Sequence, residues 1–434
     1  MKFYNAEQFS YPCEDPLAIH VIRECIEKLQ EEQLPFTTLD FIPELFKELE
    51  SYKEYFTEFE HLLLLGIGGS ALGPHALQKA FSPQDKQILT SGHTHNSQAQ
   101  KPQKYLWVID NVNSVHLAEC LAKLPLEKTL VLTISKSGST LETIAQYFIC
   151  KEHFQKCFPN TWQKNFFVIT DEKKGFLRQE VQENKYKSLS VPELLGGRFS
   201  IFCAVGLVPA LFLGIDYKAF IRGAIDTKNE FFAQCSEYLD NTQAPLPRLF
   251  ELANFTYSTM QNGYDDLIFF NYIPKWSSLN DWFRQLWSES LGKNGKGSTP
   301  VIALGTIDQH SILQLFLDSK PNKAAIFLTS LEESTNNHCT LSQNLPKEWQ
   351  WLAGKDIADI LHAEAVATRQ SMVNHHIPLC SMDFEKTDEY AFGKIMWELC
   401  MTTVLTAHFL GINPYDQPAV EESKKIAKET LSKQ

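Results

Sequence analysis

Between Val131 and Thr143 the chain reads VLTISKSGSTLET. Four hydroxyls, from Ser135, Ser137, Ser139 and Thr140, and the ammonium of Lys136 crowd around Gly138. Apolar residues precede the cluster and a helix-like stretch, TLETIAQYF, follows it, so it falls where a strand gives way to a helix. A helix N-terminus presents unpaired backbone N–H groups and the positive end of its dipole. Hydroxyls and an ammonium beside it complete a site suited to a single phosphate dianion. Helix capping is the alternative use of the same serines and threonine.

A second turn precedes it in the chain, in HLLLLGIGGSALGP at residues 61–74. Gly66, Gly68 and Ala71 satisfy G-x-G-x-x-G/A after an apolar run, the pattern of a dinucleotide-binding turn. That pattern also needs an acid at the end of the next strand. Asp85 has suitable spacing but lies in SPQDKQ with no convincing strand before it, and Asp110 ends a strand but lies much further on. No Gly-Lys-Ser/Thr occurs, which removes a nucleoside-triphosphate P-loop. A plain strand-to-helix turn remains possible. Two such turns on neighbouring strand ends predict a crevice, with phosphate in one and the rest of the ligand in the other.

The elements that must hold these turns alternate. Residues 15–60 read mostly helical, and apolar runs at 61–68, 104–110, 129–135 and 165–170 suit buried parallel strands. Helical patterns such as SVHLAECLAKL separate most of them. From Pro192 to about residue 262 the pattern is helical, and strand-like runs return at 265–273, 299–305 and 323–331, with SLNDWFRQLWSESLGK between the first two. The α/β pattern thus occurs twice, as expected of parallel sheets covered by helices. Residues 90–103 are polar and predict a surface loop, and the last residues predict a helix with Asp416 as N-cap and Pro418 in its first turn.

A chain of 434 residues exceeds one ordinary core, so two α/β units are expected. The formal charge of −12 argues against a nucleic-acid partner, which demands clustered Lys and Arg. It leaves room for a small anion held by local positive potential. The ten cysteines show no Cys-x-x-Cys or zinc spacing and predict reduced thiols in a cytoplasmic protein. His93, His95, His375 and His376 lack acidic partners in sequence and are read as loop residues, not metal ligands. The most apolar stretch, residues 199–215, is short for a membrane span and contains Gly206 and Pro209, so a buried helix or helix pair is expected.

G-x-G-G-S followed by S-K-S-G-S-T-x-E-T resembles the sugar isomerase (SIS) domain, which binds phosphosugars. ELLGGRFSIFCAVG (193–206), QLWSESLGKNGKG (285–297), GTIDQHSILQL (305–315) and YDQPAVEESK (415–424) are similar to signature segments of the glucose-6-phosphate isomerase family, in the family's order. The resemblance runs from about residue 60 to 424 and implies two SIS-type α/β/α sandwich domains with parallel sheets. The corresponding division is an N-terminal helical segment (1–55), a first, phosphate-binding domain (56–210), a helical connection (211–262), a second domain (263–410) and a C-terminal helix (411–434) completing the site.

Interconverting an aldose and a ketose phosphate moves a proton between C2 and C1 through a cis-enediol. It needs a carboxylate base, a cation near the developing oxyanion and acid/base groups for ring opening, and neither metal nor redox cofactor. The resemblance implies Glu289 as the base, Gln285 as a ligand contact one turn before it, and Arg198 as the cation that stabilises the enediolate. It implies His310, reaching the site from a second subunit, and Lys424 in ring opening, with Gln417 also touching substrate. Gln417 and Lys424 are spaced to share one helical face. Gly69 and Ser70 would contact the sugar, Ser135, Lys136, Ser137 and Thr140 would hold the phosphate, and Glu142 would lie near the catalytic histidine. Ser137 and Ser139 stand where many relatives have Thr, and Leu291 where many have a polar residue, so the rim of the site differs while the catalytic set is kept.

The expected activity is therefore isomerisation of glucose 6-phosphate and fructose 6-phosphate in glycolysis and gluconeogenesis, by a homodimer. Competing readings are a related isomerase that also accepts mannose 6-phosphate, a nicotinamide-dependent oxidoreductase resting on Gly66–Ala71, and a non-catalytic phosphosugar sensor. Cofactor absorbance separates the second. The acidic chain and the doubled α/β pattern weigh against the third.

Overall fold

The computed structural model describes residues 1–6, 18–82, 103–241, 243–330 and 339–433. Asp85, His93, His95, Cys13 and nearly all of the loop expected at 90–103 lie outside the described residues. Among the described residues, ten strands form two five-stranded sheets. The first is wholly parallel, in the order β3 (Tyr105–Ile109), β2 (His61–Leu65), β4 (Thr129–Ser135), β5 (Phe166–Thr170) and β6 (Lys187–Ser190). Every residue of β4 and β5 is buried, which is why these strands read as continuous apolar runs and not as alternating ones.

The chain leaves β2 for β3 on one side and returns to β4 on the other, so the strand order reverses between β2 and β4. Helices following the two strands then lie on opposite sides of the sheet and a crevice opens between their N-termini. Both turns singled out in the sequence leave these two strands, which pair directly, with Leu65 opposite Thr133.

The second sheet has the order β1 (Lys2–Tyr4), β10 (Leu379–Phe384), β9 (Lys323–Ser330), β7 (Asp266–Asn271) and β8 (Thr299–Leu304). All pairs are parallel except β1, an antiparallel edge with Lys2 opposite Ser381. Three strands escape the sequence reading. β1 and β6 are very short, and β10 (LCSMDF) breaks its apolar run with Ser381 and Asp383. The first residues, expected to belong to a helical segment, are thus the edge of the second sheet, because strand partners are chosen by tertiary packing and not by proximity in sequence.

One apolar core joins inner residues of both sheets, among them Leu132 and Phe269. Through it runs the helix Glu389–Leu410, buried almost all round, packed on the helix Tyr217–Asp240. The stretch from residue 199 folds as a buried 3-10 turn, Gly197–Phe202, and a buried helix, Ala204–Leu213. No described helix is long and apolar enough to cross a membrane. The nine described cysteines are free.

The chain's last helix corrects the sequence reading. It runs from Glu421 to Ser432 with Val420 at its N-cap, after a 3-10 turn at Pro418–Val420. Asp416 is not its cap. That carboxylate instead pairs with Lys293 at 3.2 Å, a stronger attraction for a charge than exposed amides. Gln417, at φ −158°, lies outside the helix and so does not share a helical face with Lys424.

Candidate active site

At the end of β4 the expected anion loop is formed by its own hydroxyls. Ser135 Oγ lies 2.8 Å from Thr140 Oγ1 and 3.5 Å from Ser137 Oγ, and Ser137 Oγ accepts from Ser139 N at 3.3 Å. Gly138 takes a left-handed φ of +65°, which folds the loop back on itself. The helix Leu141–Cys157 starts directly after it, and its N-cap Thr140 makes no side-chain capping bond. The hydroxyl that could have capped the helix faces Ser135 instead, so the first-turn amides keep their capacity for an anion. Lys136 is half-buried; burial lowers its pKa, against the attraction of Asp171 and Glu193. Glu142 lies half-buried in the first helical turn.

The glycine turn after β2 is pressed from outside. A Cβ on Gly69 would lie 2.0 Å from the carbonyl oxygen of Gly197, and one on Gly68, at φ +57°, would lie 2.7 Å from Nε2 of Gln285. The turn is stripped of side chains because two distant parts of the same chain press on it. Ser70 sits half-buried in the first turn of the helix Gly69–Phe81.

Those two parts carry the charged centre. Arg198 follows Gly197 in the 3-10 turn and is 3 % exposed. Its Nε donates to Ser290 Oγ at 2.8 Å, and Nη1 donates to Glu289 Oε2 at 3.0 Å and Gln417 Oε1 at 3.3 Å. Its Nη2 donates to the carbonyls of Pro414 and Asp416. Five acceptors match the five N–H groups of a guanidinium. Burial lowers the Arg198 pKa, and the Glu289 carboxylate opposes that shift.

Glu289 and Gln285 stand one turn apart on the helix Leu279–Leu291. Gln285 Nε2 donates to Glu289 Oε1 at 3.0 Å. A carboxylate only accepts, so this bond fixes the amide orientation and turns Gln285 Oε1 away. That oxygen is buried without a partner among the described residues. Glu289 remains a third exposed, with each oxygen anchored from one direction.

Two residues missing from the sequence reading complete this centre. Ser290 is fully buried and receives Arg198 Nε. Lys293 donates to the carbonyls of Ser290 at 3.1 Å and Asn413 at 2.5 Å, and pairs with Asp416. Their only signal in sequence was membership of the segment around Glu289.

Two expected residues lie apart. His310 is exposed at the end of a 3-10 turn after β8. Asp308 holds that turn, accepting from Leu304 N at 2.7 Å and Ser311 Oγ at 2.6 Å. Lys424 is exposed on the last helix, with its ammonium 2.6 Å from Glu421. Within one chain, the structure therefore gathers Gly68, Gly69, Arg198, Gln285, Glu289 and Gln417, and leaves His310 and Lys424 facing outward. His375 and His376 end the helix Ile357–Asn374, and no metal-holding group of three ligands occurs among the described residues.

The fold and site define a two-sheet α/β protein with a hydroxyl-lined loop at a switch point and a restrained carboxylate opposite the adjoining turn. The phosphoglucose isomerase family model matches residues 40–434, and the chain belongs to that family. A glucose-6-phosphate isomerase of Methanocaldococcus jannaschii is 31 % identical over 385 residues, covering 88 % of this chain and 86 % of its own. A solved structure of a hypothetical protein from Thermus thermophilus superposes with a TM-score of 0.83 at 28 % identity, over 96 % of this chain and 97 % of that one. A glucose-6-phosphate isomerase structure from Chlamydia trachomatis shares the fold at a TM-score of 0.70 and 20 % identity, over 99 % and 77 % of the two chains.

Proposed function

We propose that this chain interconverts D-glucose 6-phosphate and D-fructose 6-phosphate by proton transfer through a cis-enediol, in glycolysis and gluconeogenesis. Family membership supports the reaction. The observation that carries the residue assignment is Glu289, a carboxylate held by Arg198 and Gln285 yet still open on one side.

In this reading the phosphate sits on the hydroxyls of Ser135, Ser137 and Thr140 and on the first-turn amides after them, with Lys136 adding charge. Gly69 and Ser70 line the sugar's path. Glu289 takes the proton from C2, giving an enediolate whose oxygen carries the negative charge, and returns the proton to C1. Gln285 Oε1 accepts a sugar hydroxyl. Arg198 Nη1 donates to the developing oxyanion by exchanging its bond to Gln417, which is free to turn toward a substrate hydroxyl. No step requires a metal or a redox cofactor.

Ring opening is assigned to His310 and Lys424, with Glu142 beside the histidine. Their outward position in the single chain favours a homodimer in which His310 is supplied across the interface. Exposed apolar side chains lie on both elements of such a contact: Leu141, Phe148 and Ile149 on the helix after the loop, and Ile307 and Leu315 around His310. A twofold axis would pair each patch with the other. The composition fits a cytoplasmic protein without nucleic-acid or membrane partners.

The test is a coupled dehydrogenase assay for glucose 6-phosphate formed from fructose 6-phosphate, beside Glu289→Gln. Conversion that collapses in the variant supports reaction and base together. A folded protein that forms no glucose 6-phosphate from fructose 6-phosphate, but interconverts mannose 6-phosphate and fructose 6-phosphate, would replace the aldose substrate.

A further inference from the structure

We infer that Lys293 is a positioning residue for this reaction, holding the segment that delivers Gln417 and balancing the charge around Glu289. The inference rests on the proposed isomerase reading.

The segment from Asn413 to Gln417 has no regular secondary structure of its own to fix it beside Arg198. Two cations do so instead. Arg198 grips the carbonyls of Pro414 and Asp416, and Lys293 grips the carbonyl of Asn413 and the carboxylate of Asp416. Lys293 also donates to the Ser290 carbonyl at 3.1 Å, at the end of the helix bearing Glu289. One ammonium thus ties the base's helix to the segment carrying Gln417. Its side chain is 9 % exposed while Asp416 is 53 % exposed, so the pair is anchored from the lysine side. Burial lowers the Lys293 pKa, with Arg198 pushing the same way and Asp416 and Glu289 opposing.

The charges of this cluster can be named from each element. Arg198 comes from the 3-10 turn, Lys293 from the end of the helix that bears Glu289, and Asp416 from the last segment. Cys400 faces Arg198 from the helix Glu389–Leu410, and burial keeps its thiol protonated. Two cations against two carboxylates leave the cluster balanced. Removing the ammonium leaves one positive charge against two negative ones, so the cluster as a whole holds its negative charge less easily.

The experiment compares Lys293→Gln, Lys293→Arg, Asp416→Asn and the Lys293→Gln/Asp416→Asn double variant in the isomerase assay, with Tm measured for each. Lys293→Gln should lower kcat about tenfold and move the acid limb of kcat/KM up by about half a pH unit. Lys293→Arg should recover most of both. Asp416→Asn should move the limb down, and the double variant should return it near the wild-type position. A purely structural lysine would lower Tm in Lys293→Gln while the acid limb stays in place, and the double variant would give no return; either result overturns the inference. An inactive but folded wild type would overturn the isomerase reading, and this inference with it, and is recognised before any variant is compared.

Discussion

The Arg198 guanidinium and the Glu289 carboxylate meet at 3.0 Å, the arginine 3 % exposed and the glutamate 32 %. The arginine is thus buried within the fold while the glutamate stays open to solvent on one side. In the proposed reaction Glu289 transfers a proton in both directions, and such a base has to stay in one place. Here a buried cation and an amide each hold one of its oxygens.

Replacing Glu289 with Gln keeps the volume and an acceptor for Arg198 but removes the base. Activity in the coupled assay should fall by about 10²- to 10⁴-fold, with KM nearly unchanged and Tm close to wild type. Wild-type activity in this variant would move the base to another residue.

The phosphate loop should act on binding. Ser135→Ala and Thr140→Val each remove one side of the 2.8 Å contact and one donor to a charged ligand. Each should raise KM about tenfold with a small change in kcat, since a hydrogen bond to a charged group is worth roughly 1.5–3 kcal/mol. Inorganic phosphate, as a competitive inhibitor, should weaken in parallel. A loss confined to kcat would place the phosphate elsewhere.

Gly69→Ala tests why the turn after β2 is glycine-rich. The added methyl would lie 2.0 Å from the Gly197 carbonyl oxygen, a backbone atom that cannot swing aside. Either the 3-10 turn carrying Arg198 moves or the chain is destabilised, so both Tm and kcat should fall. Ser70→Ala, one residue on, should leave Tm nearly unchanged. A Gly69→Ala variant with wild-type Tm and kcat would mean the two backbones can separate without consequence.

Stability should depend on one histidine far from these residues in sequence. Both ring nitrogens of His408 are buried without a partner among the described residues. Burial, assisted by Lys28, pushes its pKa down from 6.5 to about 4. The folded chain then resists a proton that the unfolded chain accepts. The stabilisation is complete above pH 6.5 and is lost as pH falls toward 4, a change of order 3 kcal/mol. Tm measured across that window should fall less steeply in His408→Leu than in wild type. Parallel slopes would show that other groups govern the acid transition.

The sequence was most legible where local pattern and burial agree. β4 and β5 are buried on both faces, so their apolar runs announced them. The helix Leu279–Leu291 showed helical spacing, and the loop around Gly138 carried its hydroxyls in one stretch. β10 was lost because Ser381 and Asp383 interrupt it, and both serve contacts outside the strand, with Arg369 on the helix before it and, for Asp383, Thr329 on β9. The cap assigned to Asp416 failed for the same reason. A carboxylate before a helix reads as a cap unless a distant cation claims it, and Lys293 does.

Chain order and residue type by themselves determined the two α/β patterns, the hydroxyl-rich turn after β4 and the presence of one arginine and one glutamate in glycine- and helix-rich surroundings. Those features are local, set by periodicity, capping and side-chain chemistry within a few turns. Only the tertiary structure decided that Arg198 spends all five donors on Ser290, Glu289, Gln417 and two carbonyls, and that Gly68 and Gly69 are small to admit Gln285 and Gly197. The groups that meet there are separated by up to 219 positions in the chain, a span over which no local pattern records which partner packing will bring to a buried charge.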